Sequence, residues 1–454
     1  MPPDEGAPPA WAWGQVLRQL SVHLPLEQTL APLLSDHGAI PLDGQPDSAA
    51  QRFRLGRAVA AWLAQAAAQR PVAVLLDDLH AADGQTLHLL ESVAGSLPVP
   101  LLLVVAFRPE GIHADPGREE RFVEFLGTLA SRNPARVVLG GLEAADVARI
   151  VKTFTPAGPD VVAMLAERTG GNPFYVRESA RLLAAEGPHA AHTEVPDSVR
   201  DVLRRHLRRV PPPVRQALDL AAVAGADLDV AVLSRSAGHD VSDALGTAFR
   251  SGFLKDDGQG RVRFSHALVR ETLYQDIPPG RRAQLHARIA ADLNARNPEQ
   301  ASALAHHHLL AGAAVDAEVA LGHAVRAAEL AERRFAYDAA IGLLEQALQF
   351  PSPPVTRIDL LSRLLRNQAR SGASSSARQT RDRAVALAEA TGRDDLLLQA
   401  LTAWRVPTPW LNHVYGQVDQ HLVDLISGLL QNQQPSTDAR CRLLAALVKE
   451  LDGQ

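Results

Sequence analysis

Cysteine is nearly absent from this sequence: Cys441 is the only one in 454 residues. An intramolecular disulfide is therefore excluded, and with it the class of small secreted domains that depend on disulfides. The amino terminus, Met-Pro-Pro-Asp-Glu, is acidic where a secretory signal has basic residues and then an apolar run. We therefore expect a cytoplasmic protein.

Long apolar runs are lacking as well. The uncharged stretch Ser92–Phe107 has 16 residues and contains two prolines, whereas a membrane span needs about 18 apolar residues. Lysine occurs only three times, and the net charge of -5 gives no basic excess that would indicate nucleic acid or anionic lipid. Because 46% of the residues are hydrophobic and the length corresponds to about three domains, we expect a soluble protein with several cores.

Short apolar runs alternate with helical patterns in the amino-terminal third. The helical pattern of residues 50–70 is followed by VAVLL, by a helix predicted over Thr86–Leu97 and by LLLVV. A further helix, Glu119–Ser131, leads to a third run, Arg136–Leu139. Apolar runs without alternation are typical of strands buried on both faces of a parallel sheet. The sequence thus predicts an α/β layer with at least three strands.

The remainder is predicted to be mostly helical. The exception is residues 253–266, where two β-prone runs flank the turn Asp-Asp-Gly-Gln-Gly, and short helices followed by such a hairpin indicate a winged helix. Beyond Pro279 the chain is rich in alanine, which favours helical repeats over the alternative of an irregular helical bundle. The match to a tetratricopeptide unit rests on Ala328, Phe335, Tyr337, Ala340, Ala347 and Pro351.

Two acidic residues, Asp77 and Asp78, follow the apolar run VAVLL directly. Ligands of open α/β sheets bind outside the carboxyl ends of the strands. A carboxylate there can hold the water shell of Mg²⁺ on a nucleotide while its neighbour orients an attacking water. Arg108 ends the next apolar run and could reach a γ-phosphate from the same edge. The alternative is that the two acids simply end a strand and cap the next turn.

Five ordered motifs add a resemblance to a known family. LLDDLHAAD, VVAFRPEG, LAERTGGNPFYVRE, VPDSVRDVLRRHL and RFSHALVRETLY resemble the signal-transducing STAND class of AAA-related ATPases, and within it large ATP-binding regulators of LuxR type. The resemblance implies a fold of class α/β plus α, and it covers nearly the whole chain. Its parts are a partial P-loop NTPase-type parallel sheet over residues 1–142, a helical lid over 143–190, a winged helix over 195–278 and tetratricopeptide-like helical repeats over 279–454.

The resemblance also implies roles for individual residues. Asp77 corresponds to the Walker B magnesium residue, Asp78 to the catalytic acid that positions water, and Arg108 to a sensor of the nucleotide. Gly171 and Pro173 match a GxP motif whose proline lies near the adenine, with a helix stop and a turn as the alternative. His266 falls where this class directs a histidine toward the β-phosphate of ADP, with a buried histidine at a helix start as the alternative.

The sequence departs from this family at the phosphate-binding loop. None of Lys152, Lys255 and Lys449 lies in G-x-x-x-x-G-K-[ST]. The resemblance implies that this motif precedes Met1 and that its strand lies centrally, between the Arg108 strand and the Arg136–Leu139 strand. We therefore expect a fragment that lacks a carboxyl-terminal DNA-binding domain as well. ATP, ADP and Mg²⁺ are cofactors expected of the intact protein, and we expect no ATP turnover by this chain alone.

The resulting functional hypothesis is an ATP/ADP-switched signalling ATPase that regulates transcription. Its expected partners are nucleotide, a small-molecule or protein inducer on the helical repeats, and other copies of itself, with DNA contacted only through the absent domain and no membrane. The alternative is a helical scaffold that carries an inactive ATPase remnant. Two features are weaker. The run His306–His308 could suggest a metal site, but consecutive side chains point around a helix and no acidic or cysteine partner has ligand spacing. A basic face either contacts DNA phosphates, is solvated or meets an acidic surface: Arg200, Arg204, Arg205, Arg208 and Arg209.

Overall fold

The computed structural model describes most of the chain and divides it into two compact units. The first comprises Met1–Asn133 with Leu293–Gln454, and the second is Pro134–Asp292. The expected boundary between lid and winged helix, at residues 190–195, lies outside the described residues. These residues are 6–34, 48–95, 100–108, 116–186, 199–225, 228–258, 260–404, 418–432 and 436–451.

The amino-terminal part of the first unit contains a two-stranded parallel sheet covered by helices. Strands β1 (Val72–Leu76) and β2 (Leu101–Val105) pair in register from Val72↔Leu101 to Leu76↔Val105, as the strand–helix–strand pattern predicts. In chain order the elements are α1 (Trp11–Ser21), α2 (Ser48–Gln69), β1 (Val72–Leu76), α3 (Gly84–Gly95), β2 (Leu101–Val105) and α4 (Pro116–Ala130).

One face of this sheet is buried and the other is open. Val72, Val74 and Leu76 point into a core that includes Trp13 and Trp62, both fully buried. On the opposite face Leu75 is 69% exposed and Leu102 is 60% exposed. The prediction of strands buried on both faces is therefore wrong for the described part of the chain.

The predicted third strand, Arg136–Leu139, is not a strand. Val137, Val138 and Leu139 are 81%, 78% and 89% exposed, and the segment has no regular secondary structure. A β-strand needs a neighbour to satisfy its backbone hydrogen bonds. Because no described strand pairs with this segment, its β-branched residues do not suffice to form one.

The second unit combines helices with a small antiparallel sheet of order β3–β5–β4. The predicted hairpin is present, with Leu254 opposite Phe264 and a bulge near Gly258. In chain order the elements are α5 (Ala144–Lys152), α6 (Pro159–Thr169), α7 (Pro173–Glu186), α8 (Val199–Leu207), α9 (Pro212–Ala224), β3 (Leu228–Asp229), α10 (Val230–Ala237), α11 (Ser242–Arg250), β4 (Leu254–Gly258), β5 (Arg261–Phe264), α12 (Ala267–Asp276) and α13 (Pro279–Arg296).

In the described residues of the carboxyl-terminal part of the first unit, the regular secondary structure is helical, and consecutive helices pack against each other. Ala324, Ala328, Ala340 and Ala347 are buried in one continuous core, where small side chains let the helices approach closely. The helices are α14 (Ala301–Ala311), α15 (Ala317–Arg333), α16 (Tyr337–Ala347), α17 (Pro354–Ser371), α18 (Ser374–Thr391), α19 (Asp394–Leu401), α20 (Gln420–Asn432) and α21 (Thr437–Leu451).

Among the described residues, no helix combines the length and the apolar character that crossing a bilayer requires.

Candidate functional site

The predicted acidic pair and its arginine meet at one edge of the parallel sheet in the first unit. Asp78 follows β1, Arg108 follows β2, and the parallel register brings the two strand ends side by side. Arg108 Nη2 lies 3.1 Å from Asp78 Oδ1. We call Asp77, Asp78, His80 and Arg108 the strand-edge group.

The backbone at this edge turns sharply. Asp78 adopts a left-handed conformation with φ of 53°, which is uncommon for a residue other than glycine. Its N–H donates to Asp77 Oδ1 at 2.8 Å. The Asp78 side chain makes no capping hydrogen bond to the short 3₁₀ turn that follows. It is directed instead to Arg108, so the alternative of a simple turn cap does not describe Asp78.

His80 belongs to the same group, although no sequence pattern predicts a role for it. The Arg108 backbone N–H donates to His80 Nδ1 at 3.3 Å, and His80 Nε2 lies 3.9 Å from Asp78 Oδ1. Burial lowers the pKa of His80 below its ordinary value, and the nearby Arg108 lowers it further, against the opposing effect of Asp78. A neutral imidazole that accepts at Nδ1 carries its proton on Nε2, on the side of the Asp78 carboxylate.

Asp83, the last acid of LLDDLHAAD, has a structural role. Its carboxylate accepts hydrogen bonds from the Thr86 N–H at 3.0 Å and the Thr86 hydroxyl at 2.5 Å, which caps the start of α3. The same carboxylate accepts the Ala10 N–H at 3.2 Å. Asp83 therefore ties the amino-terminal segment to the helix that follows the strand-edge group.

The GxP motif lies in the second unit, where it begins α7. Asn172 Oδ1 accepts the N–H groups of Phe174 and Tyr175 at 3.0 and 3.2 Å, so the middle residue of the motif is a helix cap. Pro173 takes the first helical position, where its missing N–H is no loss. The preceding helix ends at Thr169 and Gly170 is left-handed, as the sequence predicts.

Gly171 is required by a close approach of two backbone segments. Its φ is +68°, and a Cβ there would lie 2.4 Å from the Leu142 carbonyl oxygen. On the opposing segment, a Cβ on Gly141 would lie 2.0 Å from the Gly170 carbonyl oxygen. The Leu142 N–H donates to the Gly171 carbonyl at 2.8 Å. Gly141 is thus the partner of the motif.

His266 is held at the start of α12 and lies against the same motif. Its Nδ1 accepts the Leu268 N–H at 3.2 Å, which makes it the helix cap. Its ring stacks on Phe174, with ring centroids 4.0 Å apart and planes 16° apart. A neutral His266 therefore carries its proton on Nε2. Phe174 follows Pro173 directly in the sequence. This aromatic residue is the one sequence signal that could have indicated a stacking partner for His266.

A cavity of about 560 Å³ lies beside Pro173 in the second unit. Its size lies within the usual range for small-molecule pockets. Apolar side chains line part of it, and Arg149 and Arg177 supply cationic groups that suit an anionic ligand. Arg149 is paired with Asp146. The lining residues are Leu142, Asp146, Arg149, Ile150, Thr153, Phe154, Pro173 and Arg177.

Contacts account for part of each of the two weaker sequence features. On the basic face, Arg204 Nε lies 3.0 Å from Asp276 Oδ1 and Arg200 lies 3.8 Å from Glu271, so this face meets acidic residues of α12. His308 is buried and stacks on His323, with centroids 4.6 Å apart and planes 9° apart. Burial chiefly, with His308 adding to it, lowers the pKa of His323 to about 4.

Comparisons with known proteins give two similarities. No protein-family model matches the chain. An uncharacterized protein of Rhizobium meliloti (strain 1021) is 25% identical over 276 residues, which cover 56% of this chain and 25% of that protein. A crystal structure of a Signal Transduction ATPase with Numerous Domains (STAND) protein with a tetratricopeptide repeat sensor, from Pyrococcus horikoshii, aligns with a TM-score of 0.45 at 12% identity. That alignment covers 97% of this chain and 63% of the other, so the chain spans a quarter to two thirds of these proteins.

Proposed function

We propose that this chain is part of an ATP/ADP-switched signalling ATPase of the STAND class that regulates transcription. The observation that carries the proposal is the strand-edge group: two acids and an arginine at the carboxyl ends of paired parallel strands. The five ordered sequence motifs support it. In this interpretation the second unit combines the lid with a winged helix, and the helices from α14 onward are tetratricopeptide-like repeats that bind the inducer.

The strand-edge residues fit a nucleotide with its metal. Carboxylates are the ligands that Mg²⁺ takes, often through its water shell, and a guanidinium suits phosphate oxygens. Asp77 would hold the water shell of Mg²⁺, and Asp78 would orient the attacking water. Mg²⁺ would supply charge neutralisation at the phosphates. Arg108, which pairs with Asp78 at 3.1 Å, would exchange this partner for a γ-phosphate oxygen.

The group around Pro173 is the part of the second unit that would bind nucleotide. The cavity beside Pro173 has room for a base, and Arg149 and Arg177 border it. The Nε2–H of His266 and the amino terminus of α12 would favour a diphosphate, because both present hydrogen-bond donors to an anion. ADP would thereby favour the resting form, and ATP would favour an open form that self-associates.

A helical scaffold with an inactive ATPase remnant is the second candidate. It is favoured by the lack of G-x-x-x-x-G-K-[ST] in the sequence. The two candidates agree that this chain alone releases no phosphate from ATP. Mg²⁺-dependent hydrolysis that disappears in Asp78→Asn would contradict that expectation and the scaffold, and it would support the role of Asp78.

Binding separates the candidates. Fluorescent ADP and ATP analogues are titrated into the full chain, with and without Mg²⁺. A signalling ATPase predicts weak ADP binding with a Kd of about 0.1–1 mM, roughly 4–5.5 kcal/mol, weakened about tenfold in His266→Ala. The exposed His239 of the same unit provides the control His239→Ala, which should bind as the wild type does. Absence of binding, or equal binding by His266→Ala, would favour the scaffold.

A further inference from the structure

Glu178 is a buried acid that the proposed nucleotide chemistry does not use. It lies on α7 one turn after Phe174, and its side chain is only 4% exposed. Arg181 Nη1 donates to Glu178 Oε1 at 2.8 Å, and His206 Nδ1 of α8 lies 3.4 Å from Glu178 Oε2. A buried carboxylate is tolerated only when it is paired in this way. The pairing fixes α7 to α8.

From His206 the contacts continue to the residue before His266. The His206 ring packs on Phe253, with centroids 4.4 Å apart. Phe253 is fully buried, and its carbonyl accepts the Ser265 N–H at 2.8 Å. His266 follows directly and stacks back on Phe174, which is on the same helix as Glu178. These contacts form a closed circuit, which we call the Glu178 clamp: Glu178, His206, Phe253, Ser265, His266 and Phe174.

Arg181 ties the Glu178 clamp to the cavity beside Pro173. Its guanidinium lies 5.5 Å from the ring of Phe154, which lines that cavity. It also lies across Gly252, where φ is +76° and a Cβ would come within 2.4 Å of Arg181 Nη1. Because residue 252 is a glycine, the Arg181 guanidinium can lie directly against the backbone next to Phe253.

We propose that Glu178 is a positioning residue for His266, which it holds against Phe174 through His206 and Phe253. The expected effect on ADP binding rests on the proposed function. If the contacts of the Glu178 clamp were lost, the His266 imidazole would leave the position from which its Nε2–H could donate to a diphosphate. The placement of His266 itself does not rest on that function, because every contact of the circuit is within the protein.

The test measures the ring of His266 directly. A ring stacked on a phenylalanine has proton resonances displaced by the aromatic ring current, so the His266 resonance reports the stack in the nucleotide-free full chain. The resonance is assigned by its loss in His266→Gln. Glu178→Ala should move it to the position of an unstacked histidine, and Glu178→Gln, which keeps an acceptor and the volume, should largely restore it.

His206→Gln provides the second variant, because it keeps a donor for Glu178 and removes the ring that packs on Phe253. It should also move the His266 resonance, whereas His239→Ala should leave it unchanged. An unmoved resonance in folded Glu178→Ala or in folded His206→Gln would overturn the clamp, whatever the change in melting temperature. If Glu178→Ala does not fold, His206→Gln decides.

Titration with the fluorescent ADP analogue then separates the clamp from the proposed function. Displacement of the resonance together with about tenfold weaker ADP binding, equal to about 1.4 kcal/mol, supports both. Displacement with unchanged ADP binding supports the clamp and contradicts the role of His266 in nucleotide binding.

Discussion

The strand-edge group and the Glu178 clamp hold charged side chains in opposite ways. The Arg108 side chain is 54% exposed and that of Asp78 is 32% exposed, whereas Glu178 is 4% exposed. An exposed pair contributes little to stability and can exchange its partner readily. A buried pair contributes to a fixed arrangement, because removal of one partner leaves a buried charge without compensation. The first arrangement would permit the partner exchange proposed for Arg108, and the second holds the helices of the second unit in place.

The largest loss of stability is expected for a buried residue of the Glu178 clamp. Phe253→Ala removes a ring that is 1% exposed and should lower the free energy of unfolding by about 3–5 kcal/mol. The loss should appear in urea unfolding followed by circular dichroism. Tryptophan fluorescence should change less, because all five tryptophans belong to the first unit. Phe53, which is 60% exposed on α2, gives the control Phe53→Ala; equal losses in both variants would contradict the prediction.

Gly171→Ala should have the next largest effect. Gly170 and Gly171 both have positive φ, but only a Cβ on Gly171 would strike the backbone of Leu142. Gly170→Ala should therefore lower the free energy of unfolding by about 1–2 kcal/mol from backbone conformation alone. Gly171→Ala should lower it by at least about 1 kcal/mol more. Urea midpoints of the two variants measure the difference, and a reversed order would show that the contact between the segments is not tight.

Acid should weaken the first unit through His323, whose pKa is lowered to about 4 mainly by burial. Because the folded state binds this proton less readily than the unfolded chain, stability is present above about pH 6.5 and is lost as the pH falls toward 4. The free energy of unfolding should drop by about 2 kcal/mol between pH 7 and pH 5. Tryptophan fluorescence in urea measures it. The dependence should shrink in His323→Leu and persist in His239→Ala; an unchanged dependence in His323→Leu would assign the acid sensitivity elsewhere.

Arg108→Ala should have the smallest effect. Its exposed pair with Asp78 contributes about 1 kcal/mol or less, and less at high salt. Tryptophan fluorescence in urea should show midpoints close to the wild type at low salt, and closer still at about 0.5 M salt. A loss of unfolding free energy comparable with that of Phe253→Ala would mean that the strand-edge group stabilises the fold.

Local sequence patterns predicted the strands, the hairpin and the helix end, because these elements depend on residues that are neighbours along the chain. The runs ending at Leu76 and Val105 predicted paired strands, and from them the meeting of Asp78 and Arg108. The hairpin around Asp257 and Gly258 and the helix end at Gly170 were equally local. The prediction of a strand at residues 136–139 was wrong, because a strand needs a pairing partner and the composition of a segment does not show whether one is present.

The Glu178 clamp could not be predicted in this way. Glu178 and His206 are separated by 28 residues, and their meeting depends on how α7 and α8 pack. Glutamate and histidine are common on the solvated faces of helices. The residue types of Glu178 and His206 alone therefore did not indicate that the two side chains pair.

The contact between Leu142 and Gly171 also sets how the gene tolerates change. Every amino-acid replacement of a glycine adds a Cβ, so no substitution at codon 141 or 171 avoids the opposing backbone, which lies 2.0–2.4 Å from the added atom. A Cβ added at residue 140 or 170 meets no atom within 4 Å, but the positive φ of Gly170 strains any substitution there. A saturation-mutagenesis profile should therefore be permissive at codon 140, intermediate at codon 170 and intolerant at codons 141 and 171. The two intolerant codons, 30 apart, would record a single contact in the folded chain.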